Sequence, residues 1–156
     1  MKIRTLLLVL LICTVCVRAA DPNGFGLWKG SLVKSSSDEL SHQIDEGKFA
    51  WRGLGTYDNH LIGISHREGD GLAELHETQT DIMIVDEGKA TLIVGGTMIA
   101  PKTVKPHEVR GTSIEGGDTK ELVPGDIVHI PSKIPHQLKI ASGGKFTYLV
   151  IKVDDK

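Results

Sequence analysis

Cysteine occurs only twice in this 156-residue chain, as Cys13 and Cys16, both within the first 19 residues. Everything after them lacks a thiol, which excludes disulfides, cysteine nucleophiles and thiolate metal sites from the remainder. Aromatic residues make up 4% of the sequence. That is too few for a platform on which bases or sugars stack. Positive charge is not in excess either, since 18 Lys and Arg stand against 20 Asp and Glu. Lacking both a stacking surface and a basic field, the chain is not expected to bind nucleic acid. Enzyme signatures that span one short segment are missing too. His76-Glu77 begins like a zinc-protease helix, but Thr80 stands where its second His is needed. Gly53-Leu54-Gly55 lacks a third glycine, and Gly63-Ile64-Ser65 runs on into His66-Arg67 without forming a nucleophile elbow.

One long apolar run is present, from Leu6 to Val17, preceded by Lys2 and Arg4 and closed by Arg18-Ala19-Ala20. Its 12 residues fall short of the roughly 20 needed to span a bilayer, which argues against an uncleaved anchor. Val17 and Ala19 supply the small residues expected before a cut, so residues 1–19 read as a secretory signal peptide cleaved after Ala19. Cleavage removes Lys2, Arg4 and Arg18, taking the formal charge from −2 to −5, together with both cysteines. The expected product is secreted or periplasmic, has no membrane partner, and leaves His and carboxylates to carry any chemistry.

Residues 20–59 differ in pattern from residues 60–156. Ser36 and Glu39 have the spacing of a capping box, Leu40 and Ile44 share a face, and Gly47 is a stop signal. Together they predict a short helix over 37–46. Trp28 and Trp51 flank it and are expected to pack it onto the domain. From His60 onward short apolar, β-branched runs alternate with turn signals. The runs are 60–66, 72–76, 81–86, 89–94, 97–100, 120–123, 127–131, 136–141 and 146–153. Such spacing predicts an antiparallel sandwich or barrel over 60–156, with the 20–59 segment packed outside it.

Two segments concentrate the chemistry-bearing residues. The first holds Glu74, His76, Asp81 and Gly88; the second runs Gly125-Asp126-Ile127-Val128-His129-Ile130-Pro131 and continues to Pro135-His136. Glu74 and His76 are two apart on a strand and therefore face the same way. If these groups converge inside a small barrel, a divalent metal is the simplest way to stabilise buried carboxylates and imidazoles together.

Here the sequence resembles the cupin superfamily over roughly His60 to the C-terminus. Aligned on Gly88, the first cupin motif, G-x5-H-x-H-x4-E-x6-G, puts its Glu at Asp81 and its two His at His76 and Glu74. Its opening Gly falls on Glu68. The second, G-x5-P-x-G-x2-H-x3-N, matches Gly125, Pro131 and His136, with Lys133 and Ile140 replacing its inner Gly and final Asn. The runs Ala73–Asp81, Glu108–Thr112 and Val128–Pro131 are similar to a group of secreted bacterial single-domain cupins. The resemblance implies an all-β fold, a double-stranded β-helix or jelly-roll barrel, here with a short N-terminal helix, and often a homodimer. It implies a metal set of His76, His136, Asp81 and Glu74, with a divalent metal as the cofactor and no separate cofactor-binding residues. Because this set combines two His with two carboxylates, it suits Mn²⁺, Fe²⁺ or Zn²⁺.

His129 alternates with Val128 and Ile130 and either lines the cavity as an acid–base group or lies at the surface. His60 and His66 share one face and are weaker candidates, while His42 and His107 are expected in solvent. Arg67 and Arg110 either pair an acidic ligand or form surface ion pairs, and Gln137 is expected to point away from the site. The reading is a metal-binding cupin of the dioxygenase, isomerase or lyase type, acting on a small oxygenated metabolite. The alternative is a non-catalytic barrel that binds a small molecule; the Glu74 replacement keeps it open.

Overall fold

The computed structural model describes residues 21–155, so the expected signal peptide lies outside the described residues. One helix and thirteen strands make up this part of the chain. Helix α1 spans Gly30–Ser41, seven residues earlier than predicted at its start. Ser36 does not cap it. The Ser36 hydroxyl sits in mid-helix and donates to the Leu32 carbonyl at 2.7 Å, while Lys29 at the N-cap makes no side-chain cap bond. The capping box is overridden by packing. Val33, Ser36, Ser37 and Leu40 recur at helical spacing and lie buried or half-buried. Leu40 and Val33 pack with Ala50, Ile64 and Leu149, so α1 covers the outer face of a sheet.

That sheet has five strands in the order β1 (Phe49–Thr56), β2 (His60–Arg67), β13 (Phe146–Asp154), β4 (Gln79–Gly88) and β11 (Ile127–Ile130). The second has six: β10 (Asp118–Leu122), β5 (Ala90–Val94), β12 (His136–Lys139), β3 (Ala73–His76), β8 (Glu108–Gly111) and β7 (Lys102–Lys105). A small pair, β6 (Thr97–Ile99) and β9 (Ser113–Glu115), completes the set. Every pairing is antiparallel. The result is a jelly-roll sandwich with its main core between the sheets, where Met83, Val85, Leu92, Ile130, Leu138, Phe146, Tyr148 and Val150 are buried together.

Strands β1, β7, β8 and β9 are absent from the predicted pattern. Lys102–Lys105 is exposed throughout, so it has no apolar alternation to read. Strand β1 also moves the expected boundary at residue 60. It pairs with β2 from Phe49↔Arg67 to Thr56↔Leu61, so the sheet begins inside the segment expected to lie outside the barrel. Trp51 consequently sits on a strand, 41% exposed. Its ring lies so close to Gly63 that a Cβ there would meet it at 2.1 Å. It does not pack the helix as predicted.

The motif glycines answer to backbone demands. Gly88 has φ +82, and a Cβ there would stand 1.8 Å from the Lys145 carbonyl. Lys133, in the place of the second motif's inner Gly, is itself left-handed at φ 64. It holds that turn by donating its backbone N–H to the His76 carbonyl at 2.7 Å. The left-handed region costs a side-chain-bearing residue about 1–2 kcal/mol, and a glycine returns part of that gain as unfolded-state entropy. Lys133→Gly should therefore stabilise the protein by about 0.5–1 kcal/mol in urea denaturation; an unchanged or lowered midpoint would contradict the strain.

Candidate metal and ligand site

Strand parity assembles the site. On β13, Phe146, Tyr148 and Val150 enter the core, and Lys152 continues the same phase. On β4 the phase of Met83 and Val85 includes Asp81, which pairs directly with Lys152 across the two strands. On β12 His136 shares its face with Leu138 and stands opposite Glu74 of β3. Glu74 is in turn opposite Arg110, and His76 opposite Glu108, on β8. These in-phase polar residues, with Arg67 of β2, line a cavity of about 340 Å³. Its remaining wall is largely apolar and includes Phe49, Leu61, Tyr148 and Val150, with the exposed Trp51 and Leu72 among the lining residues.

Glu74, His76 and His136 each offer a ligand atom within 4.8 Å of the other two. Asp81 stands beside them. Its Oδ2 is 3.5 Å from His76 Nε2 and 3.7 Å from His136 Nε2. Both Asp81 oxygens are held at 2.8 Å by Lys152 Nζ, which also lies 2.8 Å from His76 Nε2. Burial opposes ionisation of Asp81, but the neighbouring His76 and the Lys152 charge outweigh it and hold its pKa at about 2. Asp81 is thus a carboxylate throughout the neutral range.

His136 is arranged differently. Its Nδ1–H donates to the Ile134 carbonyl at 3.1 Å, which leaves Nε2 as a bare lone pair. That atom is buried and has no hydrogen-bond partner. Burial pushes the His136 pKa below the ordinary imidazole value, and the charges of Asp81 and Glu74 only partly offset it. An imidazole fixed through one nitrogen with the other free and neutral is the state a metal ligand requires. The residues therefore fit a divalent ion.

Some expected candidates fall elsewhere. His129 is exposed on β11, because Val128 and Ile130 take the inward phase; it is not a cavity acid–base group. His66 is buried but on the helix side of its sheet, with Nδ1 2.8 Å from Thr147 Oγ1. His60 stacks on Tyr57, and His107 pairs with Glu77 at the surface. Arg67 and Arg110 do reach an acidic partner, since a guanidinium nitrogen of each lies 3.5 Å from Glu74 Oε1. Gln137 was expected to point away, yet it is buried beside the cavity and donates to the Gly71 carbonyl at 2.8 Å.

Sequence reasoning missed Lys152 and Glu108. The signal for Lys152 was its phase on β13, a charge two residues beyond Phe146, Tyr148 and Val150 in the same register. Glu108 belongs to a strand that was not predicted. Its carboxylate accepts from Lys105 and Arg110, each at 2.7 Å, and lies 3.8 Å from His76 Nδ1. Burial raises its pKa, but these two cations overcome that and lower it.

Similarity to solved structures names the fold. The DMSP lyase DddQ from Ruegeria pomeroyi DSS-3 shares 21% identity over 69% of this chain and 48% of that one, with a TM-score of 0.50. For the polyketide cyclase RemF from Streptomyces resistomycificus the figures are 20%, 68%, 65% and 0.50. For the cupin domain of Cnp3 from Schizosaccharomyces pombe they are 9%, 69%, 66% and 0.52. The chain spans from about half to two thirds of the length of these proteins. No family model and no curated protein matches the sequence. This chain has the cupin fold.

A depressed His136 pKa has a testable sign. In the metal-free protein its ring proton resonances should titrate below the unfolded value of about 6.5. The stabilisation from keeping it neutral is full above that value and is lost as pH falls toward its folded pKa. Proton NMR titration reads this directly, and a midpoint at or above the unfolded value would contradict it.

Proposed function

We propose that this protein is a secreted, metal-binding cupin whose cavity takes a small, anionic, oxygen-rich molecule. The observation that carries the reading is His136 Nε2, a buried neutral lone pair without a partner, facing Asp81 beside His76 and Glu74. Glu74, His76 and His136 would hold the ion, and Mn²⁺, Fe²⁺ or Zn²⁺ suits this donor set. When bound, such an ion supplies Lewis acidity, an acidified water or a site for O₂. The chain's own residues do the rest. Arg67 and Arg110 present positive charge to the cavity beside Glu74 and are placed to orient an anionic group. Phe49, Leu61 and Tyr148 give it an apolar wall that limits water around the reacting atoms. Such a site serves a metal-dependent enzyme of the dioxygenase, isomerase or lyase type.

The second reading, a barrel that binds a small molecule without catalysis, also has an observation behind it. Lys152 already satisfies Asp81 and His76 without a metal. Titration calorimetry with Mn²⁺, Fe²⁺ and Zn²⁺ on residues 20–156 separates the two. The wild type should bind at neutral pH, and His136→Ala should weaken binding by at least about tenfold with an unchanged circular dichroism spectrum. Absence of binding by the wild type would leave the non-catalytic barrel.

Export and a homodimer belong to the same proposal, supported by the Leu6–Val17 run with its flanking charges and by the resemblance. Mass spectrometry of the protein from its native compartment should find Ala20 at the N-terminus. Intact Met1 in a membrane fraction would refute export by cleavage.

A further inference from the structure

We propose that Lys152 is an internal cation that competes with a divalent metal for the site, so that one must leave for the other to bind. The inference rests on the metal-binding reading above. An ammonium has three protons, and three acceptors surround Lys152 Nζ at 2.8 Å: Asp81 Oδ1, Asp81 Oδ2 and His76 Nε2. His76 belongs to the Glu74, His76 and His136 group, and its Nε2 is the atom that lies 3.7 Å from Glu74 Oε2. Its single lone pair serves either the ammonium or a metal.

Electrostatics makes the exclusion stronger than the loss of one hydrogen bond. Asp81 is 2% exposed, and a carboxylate buried so deeply needs a nearby positive charge to remain ionised. With Lys152 in place that need is met, and a divalent ion at the same atoms would face a like charge at close range. Lys152 also has somewhere to go. Its side chain keeps 21% of its surface in contact with solvent, so the ammonium reaches water by rotating about its own stem. Lys152 would thereby set the metal concentration at which the site fills and keep the cavity charge-balanced below it. Arg67 and Arg110 also touch a proposed ligand, Glu74, but each only at 3.5 Å, so Lys152 at 2.8 Å from His76 Nε2 holds the group most closely.

The test is Zn²⁺ titration calorimetry on the wild type and Lys152→Met, with circular dichroism to establish folding. Lys152→Gln, which keeps a donor for Asp81 but no charge, serves if the Met variant does not fold. The uncharged variant should bind Zn²⁺ at least about tenfold more tightly than the wild type. If the variant binds and the wild type does not, the competition stands while the metal-binding reading fails for the natural protein. Equal or weaker binding by a folded variant overturns the competition, and the metal-binding reading survives if both proteins bind. Binding by neither overturns both. In wild-type protein that binds Zn²⁺, the ¹³Cε resonance of Lys152, assigned by its loss in Lys152→Arg, should move as the ion is added. A resonance that stays in place with Zn²⁺ bound would also overturn the proposal.

Discussion

In an antiparallel barrel the direction of every side chain is decided by its parity along the strand, and this constraint builds both the core and the site. On β13 the phase that buries Phe146, Tyr148 and Val150 also turns Lys152 inward. On β4 the phase of Met83 and Val85 does the same for Asp81, and on β12 Leu138 carries His136 with it. A one-residue slip in any of these strands would send the chemistry to the surface and the core to water. The cross-strand partners Asp81↔Lys152 and His136↔Glu74 show that register, as well as phase, is held.

Once turned inward, the charged residues must balance one another. Asp81, Glu74 and Glu108 are set against Lys152, Arg67, Arg110 and Lys105, and each carboxylate contacts at least one of these cations. The balance is uneven in its placement. Both Asp81 oxygens accept from Lys152 at 2.8 Å, whereas Glu74 meets its two arginines only at 3.5 Å. His136 Nε2 has no partner. This open side is the observation behind the proposed ligand site, because leaving a buried polar atom unpaired costs stability that a bound group returns.

Much of the barrel is legible in the sequence because its core strands carry strong alternation and are punctuated by glycine pairs. Strands without that contrast are not: β7 is exposed throughout, and β8 and β9 are short and mixed. The helix lies earlier than the capping signal at Ser36 suggests, because its buried stripe includes two serines, residues with no hydrophobic signature. Trp51 is close to the helix in sequence but not in packing. Its strand pairs with β2, and the ring lies against Gly63 at the cavity.

For the site, local spacing by itself determined that Glu74 and His76 share a face, and motif spacing pointed to Asp81 and His136. What spacing could not decide was which other side chains join them. Lys152 lies 71 residues from Asp81 and 76 from His76 in the chain, and nothing local to β13 indicates what it will face. The alternation around Val128 and Ile130 was equally visible, yet it could not say whether His129 would meet a cavity or water. The tertiary structure decided both, because only the closure of two sheets over a shared interior determines which inward positions lie close enough to pair.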